Sequence, residues 1–317
     1  MKKSIPVSVM SLAEDYLAVR RSGGFALRME EGQLRAFARF AEQTSAPTAI
    51  TAELALAWAQ SSRHGRQITA ARRVELLRPF MRYCVSIGQA AEILPPHVCG
   101  PGHRRLVPHI YTDIEIHDLL GAAKNLLPSG GLRSITYYTL FGLLAVTGTR
   151  LSEAIGLQRD DVDMDRGLLT VRQTKFRKSR LIPIHATTAV VLRTYDATRR
   201  SLGIGLQCPF FFVSENGNRL PTRTVEETFA GLRDRLGWKA RGGHPNPRMQ
   251  DLRHSFVCRA LLRNGLESCA VDSLVDVIST YVGHAKVSDT YWYLSATPEM
   301  MAAASDRFES FAESRAR

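Results

Sequence analysis

What this chain lacks narrows its class first. Its five cysteines, Cys84, Cys99, Cys208, Cys258 and Cys269, are odd in number and widely scattered, and no CxxC pair occurs. That usage supports neither a disulfide framework nor a zinc site, and it reads as reduced thiols in a cytosolic compartment. No run approaches the ~18 apolar residues that a bilayer-crossing helix needs. The basic start, Met1-Lys2-Lys3, is followed by no apolar stretch of signal-peptide type. We therefore expect a cytoplasmic protein without a membrane partner. Internal repeats are also absent. Acid is scarce relative to base: 30 Asp and Glu against 42 Lys and Arg leave a formal net charge of +12 and a pI near 9.8. This excess favours a polyanionic partner, because each Lys or Arg set on a phosphate releases condensed counterions. Charge alone does not separate DNA from RNA or an anionic surface.

What is present suits two globular domains: 317 residues, of which 44% are hydrophobic. The first part predicts helices throughout. Leu12, Tyr16 and Val19 keep helical spacing, and Leu34, Phe37, Ala38 and Ala41 follow i, i+3, i+4, i+7. Thr51 stands where an N-cap belongs, ahead of Leu54, Ala57 and Trp58. A fourth helix from about Thr69 to Ile87 carries Val74, Leu77, Met81 and Val85 on one face, with Arg66, Arg72, Arg73, Arg78 and Arg82 elsewhere. A charged run of this kind is usually a solvated face, but its single sign makes Arg66, Arg72 and Arg73 candidates for contact with a nucleic-acid backbone. The stretch Leu94-Pro95-Pro96-His97-Val98-Cys99-Gly100-Pro101-Gly102-His103-Arg104-Arg105 has no periodicity and predicts a linker over 95–110 between domains 1–94 and 111–317. Its histidines and Cys99 lack a second ligand cluster, so a metal site is not expected there.

Thr112-Asp113-Ile114-Glu115 has the form of a capping box, and an apolar helix from about Arg133 to Val146 stops at Gly148. Short strands are expected at Val162–Met164, Leu168–Val171 and Leu181–Ile184, with a turn at Asp165-Arg166-Gly167 and a basic loop holding Lys175, Arg177, Lys178 and Arg180. Helices then return, one of them from Gln250 to Arg263. The fold class expected is mainly α with a small antiparallel β-sheet.

Several residues here carry chemistry only in combination. Arg150, after Gly148-Thr149, sits at a helix start, where a guanidinium can grip two phosphate oxygens; alone it is as readily a surface arginine paired with Glu153. Gln250, Arg253 and His254 share one helix face, which suits an anion or is a polar outer stripe opposite Phe256, Ala260 and Leu261. Lys175 can give a proton to a leaving alkoxide, and Arg177 and Lys178 can contact backbone phosphates. A lone His284 is more often structural, and Tyr293 beside Tyr291 and Trp292 is more often core. A nucleophilic tyrosine, with an ordinary pKa near ~10, needs neighbouring cations to stabilise its phenolate.

In this order, Gly148-Thr149-Arg150-Leu151-Ser152-Glu153, Lys175 ahead of Arg180-Leu181-Ile182-Pro183, Asp251-Leu252-Arg253-His254, Gly283-His284 and Tyr293 resemble the catalytic domain of tyrosine recombinases, the phage-integrase and Xer family. The resemblance runs from about Tyr111 to Met301. The helical first part is similar to the family's core-binding domain, which binds DNA, so the resemblance implies that domain followed by a mixed α+β catalytic domain. It implies further that Arg150 and Arg253 hold the scissile phosphate, that His284 hydrogen-bonds to it, that Lys175 protonates the leaving 5′-oxygen, and that Tyr293 forms a 3′-phosphotyrosyl link. No metal, ATP or other cofactor is implied. The partners implied are double-stranded DNA and a homo-tetramer on paired sites, alone or with sister recombinases, with an exchange helix from about Thr297. The short stretch before Leu12 leads us to expect no separate arm-site domain.

One departure stands out. The family usually places histidine three residues before the second arginine, where this chain has Gln250, which donates to phosphate but takes no proton near neutrality. His244 is a conceivable stand-in, although Pro245 and Pro247 separate it from the helix. The expectation is an integrase or transposase of a mobile element, with a DNA-binding accessory subunit of weak or no catalysis as the alternative. A type IB topoisomerase shares the chemistry, but the two-domain layout resembles a recombinase.

Overall fold

The computed structural model describes residues 8–44, 49–61, 67–102, 105–172, 179–265 and 271–296, together with residues 301, 302, 305 and 309. The chain divides into two units, Met1–Arg105 and Leu106–Arg317.

The first unit packs α1 (Val9–Ser22), α2 (Arg28–Thr44), α3 (Ala52–Gln60) and α4 (Gln67–Ser86) around one apolar core. Local chemistry sets the helix starts: Ser8 accepts the Ser11 amide and Thr51 the Leu54 amide, which satisfies donors a helix cannot pair internally. Leu34, Phe37, Ala38 and Ala41 are all buried, as their spacing predicts. Two positions that shared a helical spacing with buried residues are not. Val19 is 54% exposed, and Leu12, Ala13, Tyr16 and Leu17 form the buried stripe of α1 instead. Val85 is likewise exposed, because after Val74, Leu77 and Met81 the helical turn brings Cys84 inward.

The described parts of the expected 95–110 linker have paired backbone groups. Its first part lies on the helical unit: Arg78 Nε donates to the Leu94 carbonyl at 2.9 Å, Arg72 Nε to the Gly102 carbonyl at 3.0 Å, and the Gly102 amide to Glu75 at 3.1 Å. Its last residues belong to the second unit. There His109 is buried, and the Val107 carbonyl accepts the Gly243 amide at 2.8 Å. Pro and Gly remove periodicity, but the backbone groups still need partners, and neighbouring arginines and amides supply them.

The second unit begins with α5 (Asp113–Lys124), whose Thr112–Glu115 capping box forms as expected, and α6 (Leu132–Thr147). The four-residue α7 (Leu151–Ala154) leads to a three-stranded antiparallel sheet in the order β1 (Val162–Asp163), β2 (Leu168–Val171), β3 (Arg180–Pro183). Leu169 pairs with Ile182, and both are buried. Then come α8 (Ala186–Ser201), α9 (Thr222–Arg235), α10 (Gln250–Gly265), α11 (Val271–Val282) and α12 (Ser288–Ala296). The mainly helical class with a small antiparallel sheet is the one expected. A large core joins α5, α6, the sheet, α8 and α9, while Val257, Cys258, Leu261, Val275, Ile278, Val282 and Tyr293 form a separate cluster of α10, α11 and α12. No helix among the described residues is long and apolar enough to cross a membrane. The expected exchange helix from Thr297 lies outside the described residues, apart from helical positions 301, 302, 305 and 309.

Candidate active site

Two glycines organise the site. Gly148 ends α6 with a left-handed φ of 60°, and a Cβ there would lie 2.5 Å from the Phe256 ring. Gly283 ends α11 with φ of 71°, and a Cβ there would press on the Arg180 guanidinium at 2.6 Å. Only glycine meets both demands at each turn.

The carbonyls of these glycines receive the two arginines singled out in the sequence. Arg253 Nη1 donates to the Gly148 carbonyl at 2.7 Å, and Arg150 Nη2 donates to the Gly283 carbonyl at 3.1 Å. Arg150 is half-buried and stands at the N-cap of α7. That helix has only four residues, so its dipole adds little, and the guanidinium itself carries the positive charge. Arg253 is 2% exposed, which rules out the outer-stripe reading of its helix face. Its Nη2 is buried and has no hydrogen-bond partner among the described residues. Burial, then the Arg150 charge, lowers its pKa to about 10, so it remains a cation at neutral pH.

Glu153 positions this pair. Its carboxylate accepts the Arg150 amide at 2.9 Å, Arg150 Nη1 at 2.9 Å, and Arg180 Nη1 and Nη2 at 3.1 and 2.8 Å. Burial works to raise this carboxyl's pKa, but the Arg180 and Arg150 hydrogen bonds outweigh it and hold it below the ordinary range. Arg180, expected in the basic loop, opens β3 and acts as a strut: its Nε also donates to the Tyr281 carbonyl at 2.9 Å. Neither Glu153 nor Arg180 stood out as a joint part of the site. An i, i+3 spacing showed the Arg150–Glu153 pair, but nothing local shows a third partner from β3.

The aromatic group resolves into different roles. Tyr281 stacks on Phe256 with ring centroids 5.6 Å apart, and its hydroxyl donates to the Pro183 carbonyl at 3.1 Å. Burial pushes its pKa up to about 12, so it is a poor source of phenolate. Tyr291 is exposed. Tyr293 is 2% exposed, with its ring in the α10–α12 core and its Oη 2.5 Å from His254 Nδ1. The His284 ring lies nearly parallel to the Tyr293 ring, with centroids 6.2 Å apart, and its Nδ1 sits 2.6 Å from Thr290 Oγ. A Thr290 hydroxyl donating to Nδ1 leaves Nε2–H as a donor. Burial first, then Arg253 and Arg150, lowers the His284 pKa to about 4, so the ring is neutral at physiological pH.

Asp251, fully buried, starts α10: it accepts the Arg248 amide at 2.8 Å and pairs with Arg248 Nη2 at 2.7 Å. Gln250, one residue earlier, is exposed on the first turn. The structure therefore brings Arg150, Arg253, His284 and Tyr293 into one neighbourhood, and adds Glu153, Arg180 and His254. Lys175, Arg177, Lys178 and Arg66 lie outside the described residues. Arg72 is exposed with one donor on Gly102, while Arg73 lies over the Trp58 ring at 4.6 Å and donates to the Trp58 carbonyl at 2.9 Å. Among the described residues no group of three or more His, Cys, Asp or Glu is placed to hold a metal ion.

The chain is similar to known proteins over most of its length. The integrase/recombinase y4rB of Sinorhizobium fredii is 39% identical over 306 residues, covering 95% of this chain and 97% of that protein. Tyrosine recombinase XerD of Mycobacterium tuberculosis is 30% identical over 236 residues, 73% of this chain and 70% of its own. Among solved structures, the Tn1549 transposon integrase in complex with transposon right end DNA superposes with a TM-score of 0.68 at 16% identity, covering 96% of this chain and 100% of that one. A lambda integrase tetramer bound to a Holliday junction gives a TM-score of 0.63 at 20% identity, over 92% and 78% of the two chains. Residues 111–300 match the phage integrase family as a whole. The chain belongs to that family and is a tyrosine recombinase.

Proposed function

We propose that this protein cleaves and rejoins double-stranded DNA at specific sites, with Tyr293 as the nucleophile and Arg150 and Arg253 as the phosphate grip. The observation that carries the reading is the buried, unpartnered Nη2 of Arg253 in the neighbourhood of the Tyr293 hydroxyl. A buried cationic donor left unpaired is costly, and a phosphodiester oxygen is the group that would satisfy it. Arg150 shares the developing charge, and His284 donates through Nε2. The Tyr293 oxygen attacks phosphorus, the bond to the 5′-oxygen breaks, and a 3′-phosphotyrosyl link stores the bond energy for rejoining without ATP. Lys175, ahead of β3 in sequence, is the proposed acid for the leaving 5′-oxygen.

The relatives point to the setting. The Tn1549 protein was solved on transposon DNA and the lambda protein as a tetramer on a Holliday junction. By analogy this chain acts as an integrase or transposase of a mobile element, as a homo-tetramer on paired DNA sites. Residues 1–94 form the core-binding domain, and Arg66, Arg72, Arg73, Arg177 and Lys178 are its and the loop's candidates for backbone contact.

The test uses a site enriched from a randomised duplex pool by binding to the wild-type protein, rebuilt as a nicked suicide substrate. Wild type is expected to give a covalent DNA adduct on a denaturing gel, and Tyr293→Phe none. An adduct that persists in Tyr293→Phe removes Tyr293 as nucleophile. No adduct from either, on a site that both bind, favours an accessory DNA-binding subunit.

A further inference from the structure

The departure at Gln250 leaves the phenolic proton without the acceptor the sequence pattern leads one to expect. Gln250 is exposed, and an amide does not take up a proton near neutrality. His244, the stand-in considered from sequence, sits in the loop before α10, outside the helix that carries Arg253 and His254. His284 turns its ring face toward the tyrosine, with an interplanar angle of 8°, and commits Nδ1 to Thr290. His254 differs from all three: its Nδ1 lies 2.5 Å from Tyr293 Oη, in line for the hydroxyl to donate.

We propose that His254 is the proton acceptor for Tyr293, taking the phenolic proton on Nδ1 as the tyrosine oxygen attacks and doing the work that Gln250 does not. This rests on Tyr293 being the nucleophile. In the step, the Tyr293 O–H bond breaks and an Nδ1–H bond forms on His254. The Tyr293 oxygen bonds to phosphorus as the bond to the 5′-oxygen breaks, and that oxygen takes a proton from the general acid assigned to Lys175. On rejoining, the 5′-hydroxyl gives its proton back to Lys175 as its oxygen bonds to phosphorus, the bond from phosphorus to the Tyr293 oxygen breaks, and His254 returns its proton to that oxygen.

The surroundings fit an acceptor. Burial, with Arg248, Arg253 and His244 on the same side, lowers the His254 pKa to about 4, while Asp251 works against them. The ring therefore stays neutral, with the Nδ1 lone pair available, until catalysis demands otherwise. From α12, Tyr293 and Trp292 face it, and the His284 ring lies parallel to that of Tyr293. A bound phosphodiester adds negative charge beside Arg253 and raises the basicity of His254 when the proton must move.

His254→Asn separates acceptance from mere positioning, since an Asn Oδ1 near the old Nδ1 still accepts the hydrogen bond but takes no proton. On the enriched nicked substrate, His254→Asn is expected to bind as wild type but form adduct about 10²–10⁴-fold more slowly. Its rate should climb with pH where wild type is flat. Placing 3,5-difluorotyrosine at position 293, with a more acidic phenol, should restore most of the loss. If His254→Asn cleaves within about threefold of wild type, or if difluorotyrosine restores nothing, His254 is not the acceptor. Should the variant misfold, the unmutated chain still answers. With vanadate bridging Tyr293 and a DNA 5′-hydroxyl, nitrogen NMR should show His254 Nδ1 protonated, and an unprotonated Nδ1 overturns the proposal. Tyr293→Phe controls every arm: an adduct from it removes the nucleophile itself, whereas its absence beside a fully active His254→Asn removes only this inference.

Discussion

Two buried arginines in the second unit, Arg199 at the end of α8 and Arg253 in α10, show how alike surroundings yield opposite uses. Among the described residues neither pairs with a carboxylate, and burial is the main influence lowering the pKa of both. Arg199 has its donors spent: Nε on the Ile204 carbonyl at 3.3 Å, Nη1 on Phe210 and Phe211 at 3.0 and 2.6 Å, and Nη2 on Gly205 at 2.9 Å. It ties the end of its helix to the turn that follows. Arg253 spends Nη1 on Gly148 and keeps Nη2 unpaired among the described residues. Burial of a charge therefore does not mark a binding site. What sets Arg253 apart is an unsatisfied donor close to a second guanidinium, that of Arg150, where the standing cost of about 1–3 kcal/mol is one that a bound phosphate would offset.

The largest test of that contrast is catalytic. Arg253→Met should slow adduct formation by at least about 10²–10³-fold, the usual loss for a donor aimed at developing charge. Yet its melting free energy should change by less than about 1 kcal/mol, since replacing an incompletely paired buried charge by an apolar chain is often neutral. A rate near wild type would break the comparison. Arg199→Met should do the reverse. With carbonyls on Ile204, Gly205, Phe210 and Phe211 losing their donor, thermal or urea unfolding should report a loss of about 3 kcal/mol or more. The folded fraction should still form adduct at the wild-type rate.

A smaller effect lies in pH. His254 and His284 titrate near 6.5 when unfolded and at about 4 when folded. Between these values the unfolded chain binds more protons, so stability is undiminished above 6.5 and falls as pH drops toward 4. The slope should approach about 1.4 kcal/mol per pH unit for each histidine. Urea midpoints across this range should show it, and His254→Asn should remove part of it. The smallest effect concerns the first unit. If the exposed donors of Arg72 reach a phosphate, Arg72→Ala should lower the salt slope of DNA binding by about one. No change would leave Arg72 as a strut for Gly102, in the manner of Arg199.

Much of the fold was legible because it depends on neighbours in sequence. The Thr112–Glu115 box, the stop at Gly148 and the buried set Leu34, Phe37, Ala38 and Ala41 need only a turn or two of helix to specify them. The motif residues Arg150, Arg253, His284 and Tyr293 were legible through order rather than local chemistry. Glu153 shared with Arg180, and His254 against Tyr293, were not. These contacts join segments 27 and 39 residues apart, and no periodicity encodes them. The partners of the expected linker were hidden for a related reason: missing periodicity signals absent regular structure, not absent partners, and Arg72 and Arg78 supply partners from a helix whose arginines looked solvated.

The glycine carbonyls that hold the arginines also tie distant stretches of chain together. Arg253 leans on Gly148, and Arg150 leans on Gly283. Each arginine thus takes its bearing from a backbone group more than a hundred residues away. A shift of either helix end would therefore turn a guanidinium without any change in the arginine itself.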